Sequence, residues 1–281
     1  LWGTVASAAP PISFNEALQY FQTAELSECR KRTQRRVPRH GLASLLRCIF
    51  GPPNLQLHLQ GEQELTLAMA QCECRLDDNE RVHMRILQTI YKKLTCSRLS
   101  CPRYGAHWEE LGFQGADPGT DLRGTGMLGL MQMLYFVMDA QTLPLAHEIF
   151  KLSHHPTQHF PFCIVSINIT HIVLQALREE CLYRECNSRQ QVIAVLNDLY
   201  VAAFLRFYHL WKWQNKTLAD SGLLLKELES SAKKKPKQLL KSLEAYVSHG
   251  ATPPVPGPSQ EMDFTGVCEP QVELEGEAWL I

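Results

Sequence analysis

Apolar residues recur along this chain at the spacing of amphipathic helices. Val82, Ile86, Ile90 and Leu94 fall four residues apart, which places them on one face of a helix. Residues 127–138 are almost wholly apolar, as expected for a helix that is buried on all sides. Because no segment alternates apolar and polar residues as a half-buried strand would, the pattern predicts an all-α fold.

The same periodicity, together with helix start and stop residues, predicts further helices along the chain. The predicted segments are 13–29, 62–74, a helix capped by Asp78 or Asn79 and ended by Pro102, 127–138, a helix capped by Thr142, 160–177, 190–213, 217–235 and a short piece ending near Ser248. Ser13 and Glu16 have the spacing of a capping box. Segment 160–177 is the most hydrophobic, but its polar residues indicate a buried core helix rather than a membrane span. His171 within it is interpreted as a hydrogen-bonded core histidine.

Composition divides the chain into three parts. Residues 1–52 hold the first helix and a basic run at 30–40, and a Gly-Pro-Pro sequence at 51–53 then interrupts the chain. Residues 53–248 are the predicted folded domain, and the proline-rich residues 249–281 are expected to form a disordered tail. The basic run could bind an anionic membrane or act as a nuclear address, but a solvated linker is the simpler interpretation.

Composition and charge also limit the function classes. The chain has 281 residues, 45% of them hydrophobic, and a formal net charge of −1, which argues against a protein that coats nucleic acid. None of the ten cysteines repeats the C-x-x-C spacing of a zinc site, so we expect reduced thiols, many in the core, and no metal. The opening residues have no basic region ahead of their apolar ones, so we expect no leader, no transmembrane segment and a cytoplasmic location.

Residues 107–126 have the composition of an elaborate loop placed directly before the central apolar helix. A turn at 117–121 supplies turn formers and candidate caps. Arg123 stands between that turn and two glycines, Gly124 and Gly126. The pattern therefore predicts a rigid helix that carries a polar loop with one arginine at its N-terminus.

This loop resembles the signature of the ELMO domain in the ELMO domain-containing (ELMOD) family, which reads roughly W-x-x-[IL]-G-F-Q-x-x-D-P-x-T-D-F-R-G-x-G-x-L. The residues that match, without a gap, are Trp108, Leu111, Gly112, Phe113, Gln114, Asp117, Pro118, Thr120, Asp121, Arg123, Gly124, Gly126 and Leu128. Leu122 departs, since the family usually has Phe there, and this exchange bears on local packing. The resemblance extends over residues 60–215 and implies an all-α, multi-helix, single-domain ELMO fold with flexible termini.

The resemblance also implies a function. The family is described as GTPase-activating proteins for Arf-like and Arf small GTPases, with the arginine of this motif, here Arg123, as the proposed catalytic finger. Other motif residues would contact the GTPase or shape the loop, and three would anchor it. The first group is Gln114, Asp117, Thr120, Asp121, Gly124 and Gly126, and the anchor group is Trp108, Leu111 and Phe113. Such an activator needs no cofactor or metal of its own, because the GTPase supplies nucleotide, Mg²⁺ and the water-positioning residue. A location peripheral to membranes or the cytoskeleton is expected.

Three alternatives accompany this interpretation. Arg123 could instead be structural, bridging Asp117 or Asp121 to hold the loop shut. The domain could be a non-catalytic scaffold or effector module that binds a small GTPase or an exchange-factor partner, as ELMO domains of engulfment proteins do. Residues 124–129 also match G-x-G-x-x-G, but no strand pattern precedes them, so a nucleotide cofactor and intrinsic small-molecule catalysis are not expected.

Overall fold

The computed structural model describes residues 10–24 and 55–249, and the regular secondary structure within these ranges is helical throughout. The α-helices are α1 Phe14–Thr23, α2 Leu59–Glu73, α3 Arg81–Thr95, α4 His107–Glu110, α5 Gly126–Met138, α6 Leu143–Ser153, α7 Phe162–Arg178, α8 Tyr183–Arg189, α9 Ile193–Trp213, α10 Ser221–Lys234 and α11 Pro236–His249. Short 3₁₀ helices cover Pro118–Thr120 and Leu218–Asp220. The predicted all-α fold is confirmed. The basic run, the Gly-Pro-Pro sequence and the proline-rich tail lie outside the described residues.

Helix α5 lies at the centre of the fold, as its composition predicts. It packs against α1, α2, α3, α6, α7 and α9. Eleven of its 13 residues are buried, including the polar Gln132. A helix that is apolar on every side is stable in water only when neighbours cover every side, so α5 fixes the arrangement of the helices around it. The N-terminus of α5 is consequently held in place, and with it the loop that precedes it.

Helices α7 and α9 form the other half of the core. The prediction that segment 160–177 is a buried core helix is confirmed, since 14 of the 17 residues of α7 are buried. Inside this interface the hydroxyl groups of Ser166 and Tyr200 hydrogen-bond at 2.6 Å. By length and hydropathy alone α9 could cross a membrane, but 72% of its most apolar 18-residue stretch is buried within the fold. Its surroundings are those of the core helix of a globular domain.

The first helix is part of the same core. Ala17 and Phe21 of α1 are fully buried, and α1 packs on α2, α3 and α5. The backbone N–H of Ile12 donates to the Thr89 hydroxyl at 2.9 Å. Ser13 accepts the N–H of Glu16 as a cap, but the Glu16 carboxylate binds Arg85 of α3, so only half of the predicted capping box forms.

Two predicted boundaries of α3 are wrong. Neither Asp78 nor Asn79 caps it, because Glu80 occupies the N-cap position without a side-chain hydrogen bond. The helix ends at Thr95 rather than at Pro102, because Cys96 adopts a left-handed conformation with φ 55°. A left-handed residue ends a helix just as glycine commonly does, and no sequence signal marked it here.

Later boundaries also differ from the prediction. The long helix starts at Ile193 rather than at Gln190, because Gln190 is left-handed and ends the short helix α8, which the sequence pattern missed. Helix α2 begins three residues earlier than predicted. In segment 217–235 a 3₁₀ turn precedes α10. Pro236 separates α10 from α11 as the first residue of α11, a position that proline favours.

Candidate functional site

The loop between α4 and α5 is fastened at its front to the N-terminus of α7. The backbone N–H groups of Cys163 and Ile164 donate to the carbonyls of Leu111 and Gly112, both at 3.1 Å. Gly112 has φ +88°, and a Cβ there would lie 2.3 Å from the backbone nitrogen of Phe162. Only glycine permits this approach, so the loop itself supplies acceptors for free amides at the start of α7.

Three apolar side chains pin the same end of the loop to the helical body. Trp108 and Leu111 are fully buried, and Phe113 is almost so. The indole N–H of Trp108 donates to the carbonyl of Arg103 at 2.9 Å, so the buried polar atom has a partner. These contacts are what the predicted anchor role of the three residues requires.

The rear of the loop is fastened to the C-terminus of α2. Gly126 has φ +50°, and a Cβ there would lie 2.5 Å from the carbonyl oxygens of both Cys72 and Cys74. The N–H of Met127 donates to the Cys74 carbonyl at 2.8 Å. Gly126 is buried and shapes the loop from within. The second glycine of the G-x-G-x-x-G sequence, at the first position of α5, therefore faces backbone carbonyls.

Arg103, which the sequence interpretation did not assign to the site, fastens the middle of the loop. Its Nε binds Asp78 at 2.6 Å and its Nη1 binds Asp117 at 2.7 Å. Asp117 also accepts the N–H of Gly119 at 2.8 Å, and its backbone carbonyl accepts the Thr120 hydroxyl at 2.8 Å. The guanidinium thus joins the segment before α3 to the turn that precedes Arg123.

Asp121 is the buried member of the turn. Its side chain is 1% exposed, and its Oδ2 accepts the backbone N–H of Gln114 at 2.8 Å. Burial raises the pKa of Asp121, while the Gln114 N–H and, more weakly, Arg123 oppose that rise. The Gln114 and Thr120 side chains are exposed at the surface of the loop. Asp121 and Gly126 are thus buried residues of the loop, whereas Gln114 and Thr120 are on its solvent-exposed surface.

Arg123 is exposed at the tip of this fastened loop. In the described part of the chain its guanidinium makes no hydrogen bond or ion pair, and only a Coulombic attraction to Asp121 is present. The alternative in which Arg123 bridges Asp117 or Asp121 does not match these contacts, because Arg103 holds Asp117 and Gln114 holds Asp121. The neighbouring Gly124 is exposed as well, with φ +88°.

Arg123 borders an open groove of about 1480 Å³. The groove runs between α1, the end of α2, residues 75–80, the signature loop and α7. Arg178 and His171 of α7 line it, with His171 beside Gly124, and the acidic segment 77–80 lines another part. Among the described residues no group of three or more His, Cys, Asp or Glu side chains could hold a metal ion.

His83 is buried in the wall of the groove. It is 2% exposed, and its Nδ1 accepts the N–H of Asp77 at 3.1 Å. Its ring stacks on Phe21 of α1 with centroids 5.6 Å apart. Burial lowers the pKa of His83, which keeps the imidazole neutral. This histidine is structural. The sequence pattern did not predict that His83 is buried, because only apolar residues were used to define the buried face of α3.

Comparison with known proteins places this architecture in a family. The sequence model of the ELMO/CED-12 family matches residues 66–225, which include α3, the signature loop and the core helices α5, α7 and α9. The chain belongs to the ELMO/CED-12 family. Helices α1 and α11 lie outside the matched range of this ELMO domain, although both pack against its helices.

Relatives with the ELMO domain match this chain over different lengths. It is 52% identical to human ELMO domain-containing protein 3 over 294 aligned positions, covering 99% of this chain and 77% of that protein. It is 53% identical to the mouse protein of that name, covering 96% of this chain and 74% of the relative. Human ELMO domain-containing protein 2 is 33% identical over 45% of this chain and 43% of that protein. No solved structure matches the ELMO domain of this chain significantly.

Proposed function

We propose that this chain is a GTPase-activating protein for Arf-like or Arf small GTPases and that it supplies Arg123 in trans. One observation carries the proposal. Arg123 is exposed and without an ion pair within the described residues, although it sits on a loop whose other charged groups are held by Arg103 and by backbone amides. An arginine that only stabilised the loop would be expected to bind the two aspartates beside it.

The physical chemistry of GTP hydrolysis explains what such an arginine can do. Negative charge develops on the oxygens between the β- and γ-phosphates, and a GTPase without a cation there hydrolyses GTP slowly. The guanidinium is always charged, and its planar fork can reach two phosphate oxygens at once. An inserted arginine accelerates the reaction by about 10³- to 10⁵-fold, which corresponds to roughly 4–7 kcal/mol of barrier.

The loop meets the requirement that the arginine be held before the partner arrives. Trp108 anchors its front, Gly126 its rear and Arg103 its middle, so little ordering remains to be done on binding. Beside Arg123 the backbone at Gly124 is open, since a Cβ placed there would meet only His171 Nδ1, at 3.9 Å. A partner's switch loops could therefore approach this backbone closely.

The test is single-turnover GTP hydrolysis by a panel of Arf-like and Arf GTPases with a catalytic amount of this protein. Arg123→Lys should remove most of the acceleration while binding of the GTPase persists, because lysine keeps the charge but lacks the fork. Arg75→Lys is the matched control, since Arg75 is also exposed and borders the same groove. The control should keep the rate.

Other outcomes would change the assignment. A loss of rate in Arg75→Lys with Arg123→Lys unaffected would move the finger to Arg75. Stoichiometric binding of one GTPase, or of an exchange factor, without acceleration and without sensitivity to Arg123→Lys would make the chain a scaffold or effector module.

A further inference from the structure

Most of the exposed large apolar side chains of the described residues lie close together along the chain. Five are exposed among the described residues, and three of them lie within eleven positions of one another. These are Trp213 at 60%, Leu218 at 40% and Leu223 at 75% exposure. They belong to residues 206–227, which include the end of α9, the connecting turn and the start of α10, called here the α9–α10 corner.

The backbone of this corner is well ordered by its hydrogen bonds, so fraying does not explain the exposure. The N–H of Lys216 donates to the Trp211 carbonyl at 3.0 Å, and Thr217 and Asp220 form a reciprocal capping box. Trp211 is fully buried and donates its indole N–H to the Gln158 carbonyl at 2.8 Å. The hydrogen-bonded backbone of the corner thus keeps these three apolar side chains exposed to solvent.

Within the Leu-Leu-Leu run at the start of α10 the inward positions are already filled. Leu224 and Leu225 are buried against the core, and Leu223 alone points away from it. Lys226 lies one helical turn further along the side of Leu223 and is exposed. Near the end of α9, Trp213 stacks on His209 with ring centroids 4.4 Å apart.

The charges around these side chains are mostly positive. The α9–α10 corner contains the cations Arg206, Lys212, Lys216 and Lys226 and the anions Asp220 and Glu227, a net charge of +2 when His209 is neutral. Burial, Arg206 and Lys212 lower the pKa of His209, and Glu148 of α6 only partly opposes this, so the imidazole stacked on Trp213 is uncharged at neutral pH. Arg206 pairs with Glu227 and Lys216 with Asp220, so the net positive charge of the corner belongs to Lys212 and Lys226, whereas the whole chain carries a net charge of −1.

We propose that the α9–α10 corner is a docking surface for an anionic lipid bilayer. Exposed tryptophan and leucine side chains can enter the interfacial region of a bilayer, where tryptophan is enriched. Lysines beside them can bury their methylene groups and keep the ammonium among anionic headgroups. The mixture of exposed Trp213 and Leu223 with Lys212 and Lys226 fits such a surface better than an apolar pocket of a protein partner. The proposal is independent of the role of Arg123.

The test is sedimentation of the full chain with phosphatidylcholine vesicles, with and without phosphatidylserine. We expect stronger binding to the vesicles that contain phosphatidylserine, reduced by added salt. The double variant Trp213→Ala with Leu223→Ala should bind at least about tenfold more weakly, because it removes the two most exposed apolar side chains of the corner. Lys212→Gln with Lys226→Gln should weaken binding to the anionic vesicles by about tenfold and leave neutral vesicles unaffected.

Leu99→Ala is the matched control, since Leu99 is 77% exposed but lies in the connection between α3 and α4. It should bind vesicles as the unmodified chain does. Thermal unfolding of each variant checks that the fold is retained. The proposal is overturned if the unmodified chain binds no vesicles, or if the Trp213 and Leu223 variant binds them as well as the control does. It is also overturned if that variant abolishes self-association of the protein instead of vesicle binding, because the surface would then be an interface between two copies of the chain.

Discussion

Arg103 offers the most direct test of how the loop holds Arg123. Its two ion pairs use different nitrogens, Nε for Asp78 and Nη1 for Asp117. A lysine carries one ammonium in place of this fork, so Arg103→Lys can keep one partner but not both in the same geometry. The substitution therefore loosens the turn before Arg123 without removing a charge from the site.

Arg103→Lys is expected to affect stability and GTPase activation to different extents. The Arg103–Asp117 pair is partly exposed, with 13% and 36% of the two side chains accessible, so its loss should cost only about 1 kcal/mol of folding free energy. That is small against the total stability of about 5–15 kcal/mol for a typical domain, so the variant should remain folded. A displacement of about 1 Å at a reacting group, however, can lower a rate by about 100-fold. We therefore expect a large loss of GTPase activation with a small loss of stability.

Urea unfolding and single-turnover GTP hydrolysis measure the two quantities. Arg85→Lys is the matched control, because Arg85 also binds a carboxylate, that of Glu16, with both terminal nitrogens but lies outside the loop. It should lose comparable stability and keep its activity. If Arg103→Lys retained full activation, or if Arg85→Lys lost as much, Arg103 would not be the residue that positions Arg123.

Three further predictions concern the folded domain. Gly126→Ala should destabilise the domain by about 3 kcal/mol or more in urea unfolding, because the new Cβ would meet two carbonyl oxygens at 2.5 Å. Gly124→Ala should cost only about 1 kcal/mol, for its positive φ. Equal costs of the two substitutions would contradict this prediction. Trp108→Ala should cost about 3–5 kcal/mol, and a loss below 1 kcal/mol would argue against the anchor. Burial lowers the pKa of His83, so the unfolded chain binds the proton more readily than the folded chain. The free energy of unfolding should therefore fall as pH drops below 6.5. In thermal unfolding, His83→Asn should flatten this pH dependence of Tm, and an unchanged slope would assign the dependence to other groups.

The local features of this protein follow from short stretches of its sequence. The periodicity of α3 and the continuous apolar character of α5 specify helices, because each depends on residues within a few turns of one another. The signature loop specifies the family for the same reason, since its residues are contiguous. Even so, Cys96 and Gln190 ended helices unexpectedly, because left-handed conformations of ordinary residues carry no compositional signal.

Which loop residues are held in place and which face solvent depends on long-range contacts. Arg103 binds Asp78 and Asp117 across 25 and 14 positions of chain, and Gly126 meets carbonyls of α2, contacts that no local spacing encodes. Arg103 occupies Asp117, one of the two aspartates that Arg123 could otherwise have paired with. The sequence therefore determined that an arginine stands in this loop, and long-range packing decided that its charge faces solvent, because ion pairing depends on distances in space rather than along the chain.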